Sequence, residues 1–270
     1  MNEHIIIITG ASSLDADLVT RLRAQAPENT VWIAVDGGLD HALAAGLEPT
    51  HLVGDLDSVT EEALAWAARN ADISRHPTDK DQTDTELALA LAATFDPERI
   101  TLVGGGNRLD HTIAGIGALG ALALTSVPML DGWWDGQHVR VVHGPGSATL
   151  RLVPGSTLSL LALHGPCVRV TLSGARWELD SFDLEPLVGM GVSNEVPDIA
   201  TAIDGSVTVA VTLSGGILTI FDDPAPDPPA IDPPAIDPTA IDPTAPMSEA
   251  PLSGPLAHRS DTGPDETADR

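Results

Sequence analysis

Through its first 130 residues the chain alternates short aliphatic runs with longer stretches of helical periodicity, and this alternation restricts the fold more than any other feature. The runs fall at residues 5–9, 31–35, 51–53, 73–76 and 100–103, with helical stretches at 14–26, 39–45, 61–70 and 85–95 between them. Strands separated by helices pair in parallel, because each helix carries the chain back along the sheet before the next strand begins. A parallel sheet flanked by helices is therefore expected over residues 1–133. The apolar stretch 112–130 approaches the length of a membrane span. Its Gly and Ala content, Pro128, and the interruption at Thr125 and Ser126 instead fit a buried helix followed by a strand.

Beyond residue 133 the pattern changes to short alternating segments at 139–142, 148–152, 157–163, 168–172, 207–213 and 217–221, divided by Gly and Pro turns. That pattern predicts an antiparallel β-sandwich over residues 134–221. A five-residue repeat, Ala-Ile-Asp-Pro-[Pro/Thr], then takes over, and 12 of the 22 prolines lie beyond position 221. Proline at this density cannot enter a helix or a sheet interior, so 222–270 is expected to be a disordered spacer.

Charge excludes one class of partner. The formal net charge is −26, and nucleic acid binding needs clustered Lys and Arg. The tail holds 11 acidic and 2 basic residues; the body keeps 28 acidic and 11 basic, a charge of −17. A body this acidic that handles a polyphosphate needs a cation, most simply Mg²⁺. The single cysteine, Cys167, excludes an intrachain disulfide and points to a reducing, cytoplasmic location. The N-terminal MNEHIIIITG lacks a basic region and reads as a buried strand, not a signal peptide, and no membrane partner is expected.

In a doubly wound sheet, ligands bind beyond the carboxyl ends of the strands. The acidic residues fall there. The second run leads into Asp36-Gly37-Gly38, the third into Gly54-Asp55-Leu56-Asp57-Ser58, the fourth into Asp79-Lys80-Asp81-Gln82-Thr83-Asp84, and the fifth into Arg108-Leu109-Asp110-His111. Carboxylates gathered on one rim repel unless a cation sits among them, and Mg²⁺ accepts one or two carboxylates with water and phosphate oxygens. Thr83-Asp84-Thr85-Glu86 is a capping box, so Thr83 starts a helix whose free N–H groups favour phosphate. Lys80 is the only lysine, placed among Asp79, Asp81 and Asp84, which suits a point charge aimed at phosphate. The sequence Gly115-Ile116-Gly117-Ala118-Leu119-Gly120 matches a dinucleotide-binding pattern, but it follows no strand directly and predicts close helix packing. The run Gly104–Gly106 lacks the Lys-[Ser/Thr] ending of a P-loop.

The order DGG (36–38), GDLDS (54–58), KDQTDTELAL (80–89) and RLDH (108–111) resembles the thiamine diphosphokinases, also called thiamine pyrophosphokinases. The segments GSTLSLLAL (155–163), SGARWEL (173–179) and GVSNE (191–195) are similar to that family's thiamine-binding region. The resemblance covers about residues 5–221. It implies transfer of a diphosphate from ATP to the hydroxyl of thiamine. Asp55 and Asp57 would bind Mg²⁺ together with Asp84 and Asp36. Gly37, Lys80, Asp81, Thr83 and Arg108 would line the ATP site beside Asp36. Asp57, Asp84, Lys80 and Asp110 would be catalytic, the base being Asp84 or Asp110, and Asp110 would also face the substrate. Ser193 and Asn194 would face thiamine, Trp177 would be packing or site wall, and His111 would open the helix after Asp110. The family forms homodimers with the thiamine site between subunits. Two positions depart from its pattern: Asn107, where Gly is usual, and Gly115, where Asn is common. Rival readings are a diphosphokinase for another alcohol, such as a hydroxymethylpterin, and a silent thiamine- or nucleotide-binding regulator. Substrate competition separates the first rival, and detectable AMP formation the second.

Overall fold

The isoleucine run near the N-terminus forms β1 (His4–Ile8), and every residue of it is buried. A computed structural model describes residues 4–11, 14–105, 108–199, 202 and 204–226. Burial without alternation marks a strand covered on both faces, and β1 lies inside a ten-stranded sheet. On one side β2 (Val31–Val35), β3 (His51–Gly54) and β4 (Asp72–Arg75) follow in parallel. On the other, β5 (Arg99–Gly104) and β6 (Met129–Trp134) are also parallel. The connections are α1 (Ala16–Gln25), α2 (Gly38–Ala44), α3 (Glu61–Asn70), α4 (Asp84–Ala93) and α5 (Leu109–Leu119).

Local chemistry sets the helix starts. Asp15 and Thr60 cap α1 and α3 by accepting N–H bonds from Leu18 and Ala63. Thr83 and Glu86 form the expected capping box at α4. Helix α5 begins at Leu109 with Arg108 as N-cap, so His111 lies within its first turn instead of opening it. No helix among the described residues is long and apolar enough to cross a membrane.

Strand β6 pairs in parallel with β5 and antiparallel with β7 (Gln137–His143), and the sheet continues without a break. It runs on through β14 (Ile217–Asp222), β9 (Thr157–Leu161) and β12 (Asn194–Glu195). A second, four-stranded sheet is built from β8 (Gly146–Leu152), β10 (Cys167–Ser173), β11 (Leu179–Leu184) and β13 (Val207–Leu213). Leu158, Leu160, Leu218 and Ile220 of the long sheet meet Leu150, Leu172 and Val209 of the short one in a shared core. The expected α/β layer and antiparallel sandwich are both present.

The differences have local causes. Strand β11 was not expected, since Asp180, Ser181 and Asp183 are all exposed and Ser181 has φ 50, which breaks the alternation. Strand β14 runs past residue 221 because Asp222 is buried against His138 and Arg140, with Nδ1 and Nε contacts of 2.5 and 2.7 Å. The chain then bridges from Pro224 to Leu152. Most of the expected tail, from residue 227, lies outside the described residues, as does Asn107.

A polar seam crosses the sheet where parallel gives way to antiparallel pairing. Thr101 donates to Asp131 Oδ1 at 2.5 Å, and Arg99 Nη2 lies 2.5 Å from Asp131 Oδ2. Burial alone would raise the Asp131 pKa, but hydrogen bonds from His138 and Thr101, with the Arg99 and His138 charges, hold it below the usual carboxylate range. A buried carboxylate tolerates its position only when bonded in this way.

The glycines of α5 divide by what surrounds them, in line with the packing role expected for this stretch. A β-carbon at Gly120 would lie 2.1 Å from His164 Nε2, while none within 4 Å would meet one at Gly117. The His164 ring sits against Gly120 with Nε2 bonded to the Gly117 carbonyl at 3.0 Å. Gly117→Ala should therefore raise stability by up to about 1 kcal/mol through helix propensity. Gly120→Ala should lower it by about 1–3 kcal/mol through overpacking, and thermal melts of the two variants check the contrast.

Candidate active site

Strand order reverses at β1: β2 lies on one side and β5 on the other, the arrangement that opens a crevice beyond the strand ends. A cavity of about 390 Å³ occupies this point. Thr9, Gly10 and Ala11 border it after β1, Asp36 after β2, and Gly104 and Gly105 after β5. Thr83, Asp84 and Thr85 enter from the start of α4, and Arg108 and His111 from the start of α5. Val35, Leu102, Gly115 and Trp134 add apolar lining, Leu102 and Trp134 both lying beside Gly115.

Asp36 is the most constrained residue of the rim. Its backbone is left-handed, with φ 45, and Leu56 N–H donates to its Oδ1 at 3.1 Å. The carboxyl group lies directly on Gly54, where a β-carbon would come within 1.8 Å of Oδ1. Burial first, then the charges of Asp84, Asp55 and Asp57, push its pKa up to about 6 against the pull of the Leu56 N–H. Strain of this kind collects at functional sites.

The remaining sequence-predicted residues divide into three groups. Asp36, Thr83, Asp84 and Arg108 line the cavity together. Asp55, Asp57 and Lys80 do not line it but act on residues that do, the first two on Asp36 and Lys80 on Asp84. Asp57 N–H donates to Asp55 Oδ1 at 3.1 Å, and with lesser help from Thr78 and Lys80 this lowers the Asp55 pKa. Lys80 Nζ lies 3.0 Å from Asp84 Oδ1 and donates to the Pro77 carbonyl at 2.9 Å. Gly37 N–H donates to Ser58 Oγ at 3.0 Å, fastening the start of α2 to the loop that carries Asp55 and Asp57. Asp81 is exposed and does not border the cavity. Asp110 is turned away from it, paired with Arg108 at 2.6 Å.

The third group sits in the sandwich. Asn194 is buried, its Oδ1 accepting from Trp177 N–H at 3.1 Å and its Nδ2 donating to the Trp177 carbonyl at 2.6 Å. Its side chain thus ties down the backbone of Trp177, and its Oδ1 also accepts from Glu195 N–H at 2.8 Å. Trp177 is half exposed with the Arg176 guanidinium 4.7 Å from its ring centroid. Ser193 adopts φ 59 and donates its N–H to Ser159 Oγ at 3.0 Å.

Among the described residues, no three ligating side chains stand close enough to hold a metal unaided. Sequence reasoning passed over Ser58, Thr9, Gly10, Ala11 and Trp134 as cavity residues. The first four adjoin strand ends and were within reach of the rule used for the carboxylates. Trp134 carried no local signal.

Two family models match this chain: thiamin pyrophosphokinase, catalytic domain, over residues 23–129, and thiamin pyrophosphokinase, vitamin B1 binding domain, over residues 147–212. A thiamine pyrophosphokinase of Bacillus subtilis (strain 168) is 36% identical over 185 residues, covering 67% of this chain and 85% of the relative. The chain belongs to the thiamin pyrophosphokinase family. The crystal structure of thiamine pyrophosphokinase from Bacillus subtilis superposes with a TM-score of 0.67 at 25% identity, over 83% of this chain and all of that one. The thiamin pyrophosphokinase from Geobacillus thermodenitrificans gives 0.65 at 25% identity, over 83% and 99% of the two chains. The thiamin pyrophosphokinase from Candida albicans shares the fold at 15% identity, with a TM-score of 0.64 over 82% of this chain and 89% of that one. The two family models meet the cavity and the sandwich respectively.

Because the folded pKa of Asp36 exceeds its unfolded value, the folded state holds the proton more tightly between about pH 4 and 6. Stability should therefore fall as pH rises through that window, and the full cost should persist above it. In metal-free buffer Asp36→Asn should stabilise the protein at pH 7.5 by about 1–2 kcal/mol, the shift being discounted for partial exposure, and by little at pH 4. Urea unfolding at the two pH values measures the difference.

Proposed function

We propose that this chain is a magnesium-dependent thiamine diphosphokinase that transfers the terminal diphosphate of ATP to the primary hydroxyl of thiamine and releases AMP. The observation that carries the proposal is the meeting of Asp36, Thr83, Asp84 and Arg108 in one cavity, with the charges of Asp55 and Asp57 acting on Asp36 and Lys80 paired with Asp84. Residues 1–133 supply the ATP and metal site, residues 134–221 supply thiamine contacts, and the tail plays no part in the chemistry.

The donor set suits Mg²⁺. It consists of hard carboxylate oxygens, and Asp84 Oδ1 is buried without a hydrogen bond, its contact to Lys80 being ionic only. Asp55, Asp57, Asp84 and Asp36 would hold the ion, which supplies neutralisation of phosphate charge when bound. Mg²⁺ keeps water and phosphate among its ligands and so needs no complete protein cage. The free N–H groups at the starts of α4 and α5 favour polyphosphate. Gly37 and Asp81, which do not line the cavity, would reach ATP from outside it. Lys80 and Arg108 stabilise charge that develops as the β-phosphorus is attacked and AMP departs. Asp84 borders the cavity whereas Asp110 is paired with Arg108 outside it, so Asp84 is the better placed to accept the hydroxyl proton. Asp110 acts by orienting Arg108.

Trp177 and Ser193 would contact thiamine, with Asn194 holding the Trp177 backbone. Exposed Leu187, Val188, Met190 and Val192 lead up to Ser193 as an apolar rim that a second subunit would cover. The enzyme is proposed to act in the cytoplasm as a homodimer.

Asp57→Asn should lower turnover by about a hundredfold or more while leaving the melting temperature unchanged. AMP and thiamine diphosphate should appear together, only with thiamine present, and cease with EDTA. Wild-type turnover in folded Asp57→Asn protein would overturn the metal assignment, and absence of thiamine-dependent AMP would overturn the reaction.

A further inference from the structure

Strand β6 ends on two consecutive tryptophans, and strand alternation sends them to opposite faces of the sheet. Trp133 joins the core that contains Ile6 and Ile8, with Arg21 5.7 Å from its ring centroid and the His138 ring tilted against it at 4.6 Å. Its indole nitrogen is sealed in without a partner. Trp134 takes the other face and lies on glycine. A β-carbon at Gly104 of β5 would meet its Nε1 at 2.1 Å, and one at Gly132 would meet Cζ3 at 2.7 Å. Gly115 of α5 closes over the ring, its β-position 3.6 Å from Cζ2 and 3.8 Å from Nε1.

Glycine on three sides holds the indole in one pose with only 6% of it exposed, and Trp134 borders the cavity. Among the described residues its N–H has no acceptor, and unlike that of Trp133 it is not sealed from solvent. An oriented N–H without a partner among the described residues therefore borders the cavity, with Leu102 Cδ2 3.9 Å from the same Gly115 β-position. Asp36 lies at the end of β2, three strands away in the order β6-β5-β1-β2, where the charge of Asp84 at the start of α4 acts on it.

We propose that Trp134 recognises the nucleoside of ATP, its indole N–H donating to an acceptor atom of the base or ribose while Leu102 and Gly115 pack against it. This rests on the reading of the cavity as the ATP site. The chemistry selects the nucleoside over thiamine. The positive edge of an indole repels the thiazolium cation, whereas adenosine is neutral and rich in acceptors. Polyphosphate belongs with the start of α4 and the carboxylates near Asp36, which leaves the Trp134 side for the nucleoside.

Trp134→Phe keeps an aromatic plate on the glycines and deletes the N–H. Binding of α,β-methylene-ATP with Mg²⁺ should weaken roughly threefold to tenfold, the net worth of one hydrogen bond, by calorimetry. The KM for ATP should rise by the same factor and that for thiamine should not move. Unchanged analogue affinity, or a change confined to thiamine, would overturn the assignment. A second comparison needs no variant: wild-type protein should bind the analogue more tightly than inorganic tripolyphosphate, and equal affinity would equally overturn it. Binding is read without turnover. A protein that makes no thiamine diphosphate yet shows Trp134-dependent nucleotide affinity would refute the proposed reaction and leave this inference standing.

Discussion

Like charges gathered on one rim are the constraint around which this protein is organised. Asp36, Asp55, Asp57 and Asp84 are near enough for the last three to raise the pKa of the first. The fold has to hold them there without a partner for each. It does so through backbone geometry: Asp36 and Leu56 both adopt left-handed φ values, 45 and 69, and Gly54 leaves bare space beneath the Asp36 carboxyl group. Such positions cost of order 1–3 kcal/mol each and persist only where surrounding structure fixes them. The parallel strands β2 and β3 do the fixing, through hydrogen bonds such as Asp36 N–H to the Val53 carbonyl at 3.0 Å.

Much of this was legible in the sequence because it is local. The capping box at Thr83, the loop of Asp55 and Asp57, and the acidic residue after each strand depend on neighbours within a few positions. Residues that depend on distant chain were not legible. Trp134 owes its place to Gly104 and Gly115, each on a different element, and nothing beside Trp134 announces them. The tie between Asn194 and the backbone of Trp177, which comes from a separate loop, is equally invisible from neighbouring residues. Strand β11 failed for another reason: its outward side carries acidic and polar residues on consecutive positions, so the period that marks a strand is lost.

The polar seam shows how a single sheet accommodates two pairing modes. Thr101, Asp131 and His138 lie on adjacent strands β5, β6 and β7, and Asp222 extends the series to β14. Each carboxylate is held by an arginine, Arg99 for Asp131 and Arg140 for Asp222. Buried ion pairs bring little net stability but penalise any other register heavily, since a slip strands a charge. The seam therefore acts on register at the strand where parallel pairing ends.

Strand β6 also has a mechanical consequence. Because it is hydrogen-bonded on both edges, to β5 and to β7, the α/β layer and the sandwich share one continuous backbone lattice. A lattice of that kind resists shear and bending, so no hinge is available between the two halves of the chain. Access of a substrate to the rim then depends on displacement of short loops and helix ends, whose stiffness, and not a clamshell motion, sets how fast the cavity fills and empties.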